Sequence, residues 1–406
     1  MTTAKNNEHK KLNFSNEQEQ SQACLNSAEH EKNQGRKVLN VPNLRFPEFQ
    51  GEWEEKRLSE IADLFKGNGI SKEQLTDTGE PCILYGELYT KYKSEVISDI
   101  FSKTDIDTRK LVKSKANDVI IPCSGETAVD IATARCVPYD NILLGGDLNI
   151  IRLYDCDGSF MSYQLNGKRK YDLAKVAQGV SVVHLYGDHL KGVRTYNPCL
   201  EEQKKIAKLL SLLDERIATQ NKIIDKLQSL IKGIGKQLFM DNQNWRTVKI
   251  GELLRIGNGK DYKHLSIGKI PVYGTGGQML LVNDYLYDGE SVCIGRKGTI
   301  DTPMFLKGKF WTVDTLFYTY DFKDVLPKFC YYLFLQINWK LYNEGTGVPS
   351  LSKSTIENIK VKIPSLEQQH KICSILDCYE HKTNNEEQIL ELYHSEKQYL
   401  LRQMFI

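Results

Sequence analysis

Between Glu201 and Phe239 the chain runs without a proline and with only two glycines. Its apolar residues step by three and four, through Ile206, Leu210, Leu213 and Ile217, across Gln220, and on through Ile224, Leu227, Ile231, Ile234 and Leu238. That spacing lays one narrow stripe along one side of a helix, the pattern of a coiled-coil seam. Lys, Glu, Gln and Asp fill the other faces. At ~1.5 Å per residue such a helix is roughly 58 Å long, and its stripe needs a partner helix to leave water.

The partner lies in the same chain. Glu367–Phe405 follows at a constant offset of 166 residues: Ile206 matches Ile372, Leu210 Leu376, Leu213 Tyr379, Ile224 Leu390, Leu227 Tyr393, Ile234 Leu400 and Leu238 Met404. Both stretches follow a proline, Pro198 or Pro364, and open on Leu200-Glu201-Glu202-Gln203 or Leu366-Glu367-Gln368-Gln369. Acidic residues there suit the positive end of a helix dipole, and Ser365 with Gln368 is a capping-box signature. The second seam is poorer, with Thr383, Glu386 and Lys397 at core positions. Each apolar side chain buried contributes ~1.5–3 kcal/mol, so an antiparallel pair is expected to hold, looser in its middle than at its ends.

The globular stretches before the two helices are also copies. Trp53 answers Trp245; Leu58, Ile61 and Leu64 answer Ile250, Leu253 and Ile256; Gly67-Asn68-Gly69 answers Gly257-Asn258-Gly259. Ile83-Leu84-Tyr85-Gly86 faces Pro271-Val272-Tyr273-Gly274, and Asp118-Val119-Ile120-Ile121 faces Glu290-Ser291-Val292-Cys293. Leu185 and Leu351 stand in register before the helices. Short β-rich runs such as NDVIIPCSG and MFLKGKFWTVDTLFYTY, bounded by Gly, Asp, Asn and Pro, read as strands and turns; LSEIADLF and KFCYYLFLQINWKLY read as helical. The expected architecture is a mixed α/β (α+β) tandem duplication, each unit a globular domain plus a long helix. The boundaries are a disordered or frayed leader over 1–40, a first domain over 41–200, helices over 201–239 and 367–406, and a second domain over 240–366.

Bulk charge does not announce a nucleic-acid ligand: the net charge is +2. The second domain carries 16 Lys and Arg against 12 Asp and Glu between Asp241 and Leu366, whereas acids slightly exceed bases between Val41 and Leu200. Any DNA contact is therefore expected from local patches. Ten scattered cysteines without a CxxC or a Cys/His cluster read as reduced thiols rather than a metal site. No apolar run has membrane length, so a soluble, cytoplasmic protein is expected. The Gly-Asn-Gly turns lack the spacing of dinucleotide and P-loop sites and read as tight turns leading out of a short helix.

Ser124-Gly125-Glu126 and Gly295-Arg296-Lys297-Gly298 occupy equivalent places after a strand. Arg296 and Lys297 have the chemistry to read guanine edges in a major groove. Further basic or aromatic candidates are Arg109, Lys110, Lys168 and Arg169 in the first domain, and Lys260, Tyr262, Lys263 and Tyr273 in the second. No catalytic set emerges: there are no paired carboxylates in a motif, no HxxxH, no nucleophile elbow and no Asn/Asp-Pro-Pro-aromatic tetrad. That points to a binding or scaffolding role.

Trp53 and Trp245, Gly347-Val348-Pro349-Ser350-Leu351, and the twice-seen Pro-x-Leu-Glu-x-Gln of Pro198–Gln203 and Pro364–Gln369 together resemble the DNA-specificity subunit of type I restriction-modification enzymes. The resemblance covers everything after residue 40. The first unit departs from it, with Gly179-Val180-Ser181-Val182-Val183-His184-Leu185 in place of the Gly-Val-Pro-Ser-Leu form. The resemblance implies two target-recognition domains that each read half of a split, non-palindromic site in double-stranded DNA. It implies helices that separate them and dock two methyltransferase subunits, with two translocase-nuclease subunits in the complete enzyme. S-adenosylmethionine, ATP and Mg would belong to those partners, with no cofactor in this subunit.

Overall fold

The computed structural model describes residues 39–179, 182–240 and 244–406. The expected leader lies outside them except for its last two residues. The chain divides into two compact units: one runs up to Asp214 and includes Ser395–Ile406, the other is Glu215–His394. Each unit thus holds one globular domain and a stretch of both long helices, which run over Leu200–Met240 and Leu366–Gln403.

Each domain is stitched shut at its base. In the first unit strand Glu54–Arg57 pairs antiparallel with Arg194–Asn197, the strand just before the long helix. In the second, Arg246–Lys249 pairs in the same way with Lys360–Ile363. Above this base the first unit carries an antiparallel sheet in the order Ala62–Lys66, Leu148–Leu153, Asp118–Pro122, Arg135–Val137. Asp118–Pro122 is buried throughout, which is why it reads as a continuous apolar run rather than an alternating one. The second unit gathers its strands into one six-stranded sheet: Arg255–Asn258, Leu316–Tyr320, Tyr287–Gly295, Met304–Thr312, Ile267–Gly274, Gly277–Val282. Both units keep one parallel pairing, Glu80–Ile83 with Leu143–Leu144 and Ile267–Gly274 with Met304–Thr312.

Two local expectations are corrected. The LSEIADLF stretch is helical only over Leu58–Ile61; Ala62–Lys66 is a strand. Its ladder with Leu148–Leu153 overrides a short apolar period that suits either state. The first Gly-Asn-Gly turn therefore follows a strand, not a helix, and Gly257-Asn258 are themselves the last residues of the strand Arg255–Asn258. The glycines of both stretches allow close approach: a Cβ on Gly67 would meet the carbonyl oxygen of Gly145, and one on Gly259 that of Val313.

Within each unit the two long helices run antiparallel. In the first, Ile206, Ala207 and Leu210 share a core with Trp53, Phe160, Tyr163, Met404 and Phe405. In the second, Ile372, Cys373 and Leu376 lie in the domain core, with Ile234, Leu238 and Phe239 packed against it. Along the seam Ile206, Leu210, Leu213, Ile224, Leu227, Ile372 and Leu376 are buried. Ile217, Ile231, Tyr379, Leu390, Tyr393 and Leu400 are half-buried. Gln220 Nε2 donates to the backbone carbonyl and to Oε2 of Glu386, at 2.9 and 2.6 Å. These residues hold equivalent positions in the two copies, so their meeting marks the local two-fold axis of the helix pair.

The glutamine of the Pro-x-Leu-Glu-x-Gln motif fixes each helix to its domain. Gln203 Nε2 donates to the Pro198 carbonyl (2.9 Å), and its Oε1 accepts from the Asp157 amide (2.9 Å). Gln369 Nε2 donates to the carbonyls of Pro364 (3.1 Å) and Asp324 (2.9 Å), and its Oε1 accepts from the Leu326 amide (2.8 Å). Asp157 and Leu326 are the N-cap residues of the equivalent domain helices Gly158–Asn166 and Pro327–Gln336. Both glutamines are buried, so each amide satisfies backbone groups that would otherwise be orphaned.

Candidate nucleic-acid interface

In each unit the loop after the central strand is paired with the loop that precedes the long helix. In the first, Ser124–Gly125 pairs antiparallel with Val183–His184, and the Leu185 amide donates to the Cys123 carbonyl (2.9 Å). In the second, Lys297 bridges Ser350, and the Leu351 amide donates to the Arg296 carbonyl (2.9 Å). Ser124 and Lys297 are therefore the same position on the same frame. The helix-proximal loop is braced alike in both units: a Cβ on Gly179 would meet the Val182 carbonyl oxygen, and one on Gly345 that of Val348. Gly179 also sits at φ +127°, a conformation that favours glycine. The brace leaves an exposed valine at the tip of each loop, Val182 at 53% and Val348 at 60% exposure.

The two platforms differ in what surrounds that shared tip. In the first unit Tyr85, Tyr89, Ser124, Glu126, Asp130 and Val182 face a cavity of about 730 Å³. Tyr89 donates its hydroxyl to the Ser124 carbonyl (2.9 Å), fixing the loop. Asp130 is engaged by Thr127 Oγ1 (2.6 Å), whereas Glu126 is exposed and has no hydrogen-bond or ion-pair partner among the described residues. Buried Arg135 lines the same cavity and donates to the carbonyls of Ala134 (3.0 Å) and Tyr92 (3.1 Å). Burial holds its guanidinium below the ordinary arginine range.

In the second unit Asn258, Arg296, Lys297, Ser350, Ser352 and Lys353 surround a cavity of about 350 Å³. Arg296 and Lys297 are exposed, their amides anchored on the Thr315 carbonyl (2.8 and 3.3 Å). Lys353 leans toward Glu357 at 3.8 Å, and Lys297 has no ion-pair partner among the described residues.

The remaining candidates are distributed around these platforms. Arg109 pairs with Asp107 (2.7 Å), and the neighbouring Lys110 carbonyl accepts from Asn68 Nδ2 (2.9 Å), so this basic turn is tied to the first Gly-Asn-Gly turn. Lys168 is exposed. Arg169 is drawn elsewhere: it donates to the Ile406 carbonyl (2.6 Å), pairs with Asp172 (3.0 Å) and stacks on Tyr196, which makes it a clamp on the chain's end. In the second unit Lys260 and Lys263 are exposed, while Tyr262 packs on the Val272–Trp311 cluster. The Lys260 amide donates to the Thr312 carbonyl (2.9 Å), and Thr312 pairs with Tyr273, which is half-buried. Sequence reasoning did not single out Val182, Val348 or Lys353. The in-register Leu185 and Leu351 located the loop, but no local signal tells an exposed loop valine from a core one.

Among the described residues no cluster of His, Cys, Asp and Glu is arranged to hold a metal ion. Nor, among those residues, is any helix long and apolar enough to cross a membrane.

A duplicated domain-plus-helix frame with unlike loop platforms defines a class, and comparison with known proteins gives it a family. The chain matches the type I restriction modification DNA specificity domain twice, over residues 50–229 and 242–392. It belongs to that family and is a type I specificity subunit, the non-catalytic DNA-recognition member of a restriction-modification system. It is 25% identical over 405 residues to the type I restriction enzyme MjaVIII specificity subunit of Methanocaldococcus jannaschii, covering 85% of this chain and 90% of the relative. It is 24% identical over 414 residues to the putative MjaX specificity subunit of the same organism, covering 87% and 93%. The fold is shared with the crystal structure of the type I restriction-modification S subunit from M. genitalium, at TM-score 0.62, 19% identity and coverage of 90% and 99%.

Proposed function

We propose that each unit reads one half of a bipartite, non-palindromic DNA site through its paired-loop platform. The observation that carries this reading is the contrast just described: one braced loop frame in both units, with different side chains presented on it. Equal frames approach DNA in equivalent ways, and unlike side chains specify unlike bases, while surrounding lysines and arginines fix position on the phosphates. The length of the long helices sets the gap between the half-sites.

The same helices are the docking rail for methyltransferase subunits, two per complex, with two translocase-nuclease subunits joining the complete enzyme. In support, Ile223, Leu230, Ile389 and Leu392 stay exposed on the helices of the second unit and Leu212 and Tyr399 on those of the first. Apolar side chains at 37–68% exposure on otherwise charged helices suit a protein partner. S-adenosylmethionine, ATP and Mg act in those partners.

Methylation-sensitive sequencing of the host genome with and without this gene tests the reading. The expected result is one split motif that loses adenine methylation when the gene is removed. Duplex binding by the assembled methyltransferase is expected to weaken steeply with salt. An unchanged methylome together with no salt-sensitive DNA binding would leave the protein a purely protein-binding adaptor.

A further inference from the structure

We infer that the two half-sites are read with opposite hydrogen-bond polarity by the equivalent loops: the second unit donates to a guanine, and the first accepts from the exocyclic amino group of a cytosine. The inference rests on the DNA-reading proposal and adds to it the base chemistry of each half.

The equivalence is geometric. Leu185 and Leu351 close the same backbone hydrogen bond, onto Cys123 and Arg296, so Ser124 and Lys297 stand at one place on the frame beside the shared valine tip. At that place the second unit offers donors only. Arg296 and Lys297 carry no acceptor on their side chains, both are exposed, and Lys297 has no ion-pair partner among the described residues. The one side-chain hydrogen bond of Arg296 among the described residues, to the Asp314 carbonyl, is long at 3.4 Å. Guanine presents two acceptors, O6 and N7, on its major-groove edge, and paired donors from Arg or Lys recognise them.

The first unit offers the reverse. The arginine nearest that loop, Arg135, is buried with two donors spent on backbone carbonyls, and its Nε has no hydrogen-bond partner among the described residues. What reaches the surface of that loop, two residues past Ser124, is Glu126, an acceptor with no hydrogen-bond or ion-pair partner among the described residues. A carboxylate accepts from cytosine N4 and is repelled by the N7 that both purines present, and by O6 of guanine. Ser124 Oγ lies 3.4 Å from His184 Nδ1, so the serine is held in the platform rather than extended toward a phosphate.

The test uses the full chain assembled with its methyltransferase partner and reads the methylated motif by sequencing. The double variant Arg296→Ala/Lys297→Ala is expected to lose discrimination for one guanine, in one half-site only, on the order of tenfold or more. Glu126→Gln is expected to shift one position of the other half-site toward adenine, because an amide both donates and accepts. Each exposed variant should co-purify with the partner as wild type does, which separates reading from folding. If both variants keep the wild-type motif and weaken binding evenly across sequences, these residues hold the backbone and the inference is overturned. That failure differs from failure of the underlying proposal, in which the wild-type complex itself would methylate no split motif.

Discussion

The two units solve one packing problem with shared and with unshared parts. In each unit a tryptophan from the domain's opening, a phenylalanine from its first main helix and a phenylalanine at the end of a long helix or just past it form one aromatic cluster. The trio is Trp53, Phe160 and Phe405 in the first unit and Trp245, Phe329 and Phe239 in the second. In each unit a domain tyrosine donates to an acid on a long helix: Tyr163 to Asp214 (2.7 Å), Tyr332 to Asp377 (2.6 Å). The cation beside that acid is not shared. In the first unit it is Lys397, on the second long helix, bound to Asp214 (2.6 Å) and Glu95 (2.5 Å) with side chains only 9–13% exposed. In the second it is Lys328, on the domain helix, bound to Glu380 (2.5 Å) with side chains 23–30% exposed. The aromatic contacts belong to the duplicated frame, and the charges around them were set separately in each copy.

Because a buried pair broken on one side leaves an uncompensated charge, the largest expected effect is at the first unit. Lys397→Met should destabilise the docking of its helices by ~3–5 kcal/mol, measured as faster hydrogen exchange at amides 203–212 and 395–401. The loss should shrink on acidification. Burial first, and Glu95 second, already hold the Asp214 carboxyl above its ordinary range, and removing the ammonium raises it further. A raised folded-state value favours proton uptake on folding, so the variant should recover stability as pH falls through it. In the wild type, burial disfavours the Lys397 ammonium, but Glu95 and Asp214 outweigh it and hold it above the ordinary lysine value. Its contribution should therefore persist at neutral pH and fade only above about 10.5.

The glutamine clasps should behave alike in the two units. Gln203→Leu and Gln369→Leu each strand buried backbone groups, costing ~1–3 kcal/mol per group left unpaired. Gln369→Leu should be the worse by thermal denaturation, since it loses three hydrogen bonds rather than two. Lys328→Met should cost less than its counterpart, about 1 kcal/mol, because that pair is better solvated. The smallest effect belongs to Gln220→Leu at the dyad, expected within about 1 kcal/mol, with looser register of the helices seen by cross-linking between cysteines placed across the seam. An equal loss for Lys397→Met and Lys328→Met would break the comparison.

Periodicity made the helices and the duplication legible, because an apolar step of three and four is local information. It also placed the paired loops, through Leu185 and Leu351. Lys397 read as a fault in the seam because its partner Glu95 lies 302 residues away, beyond any local pattern. The role of Gln203 and Gln369 was hidden for the same reason: the motif was visible, but the orphaned amides it serves belong to another part of the chain. Arg169 looked like one basic candidate among several until its donors were found on the Ile406 carbonyl.

The central claim is that the two units read independently. Its most direct measurement is methylome sequencing of cells in which residues 241–366 have been exchanged for the matching domain of another specificity subunit. The expected motif keeps one half-site and the gap and changes the other half-site alone. A motif changed in both halves would contradict independent reading.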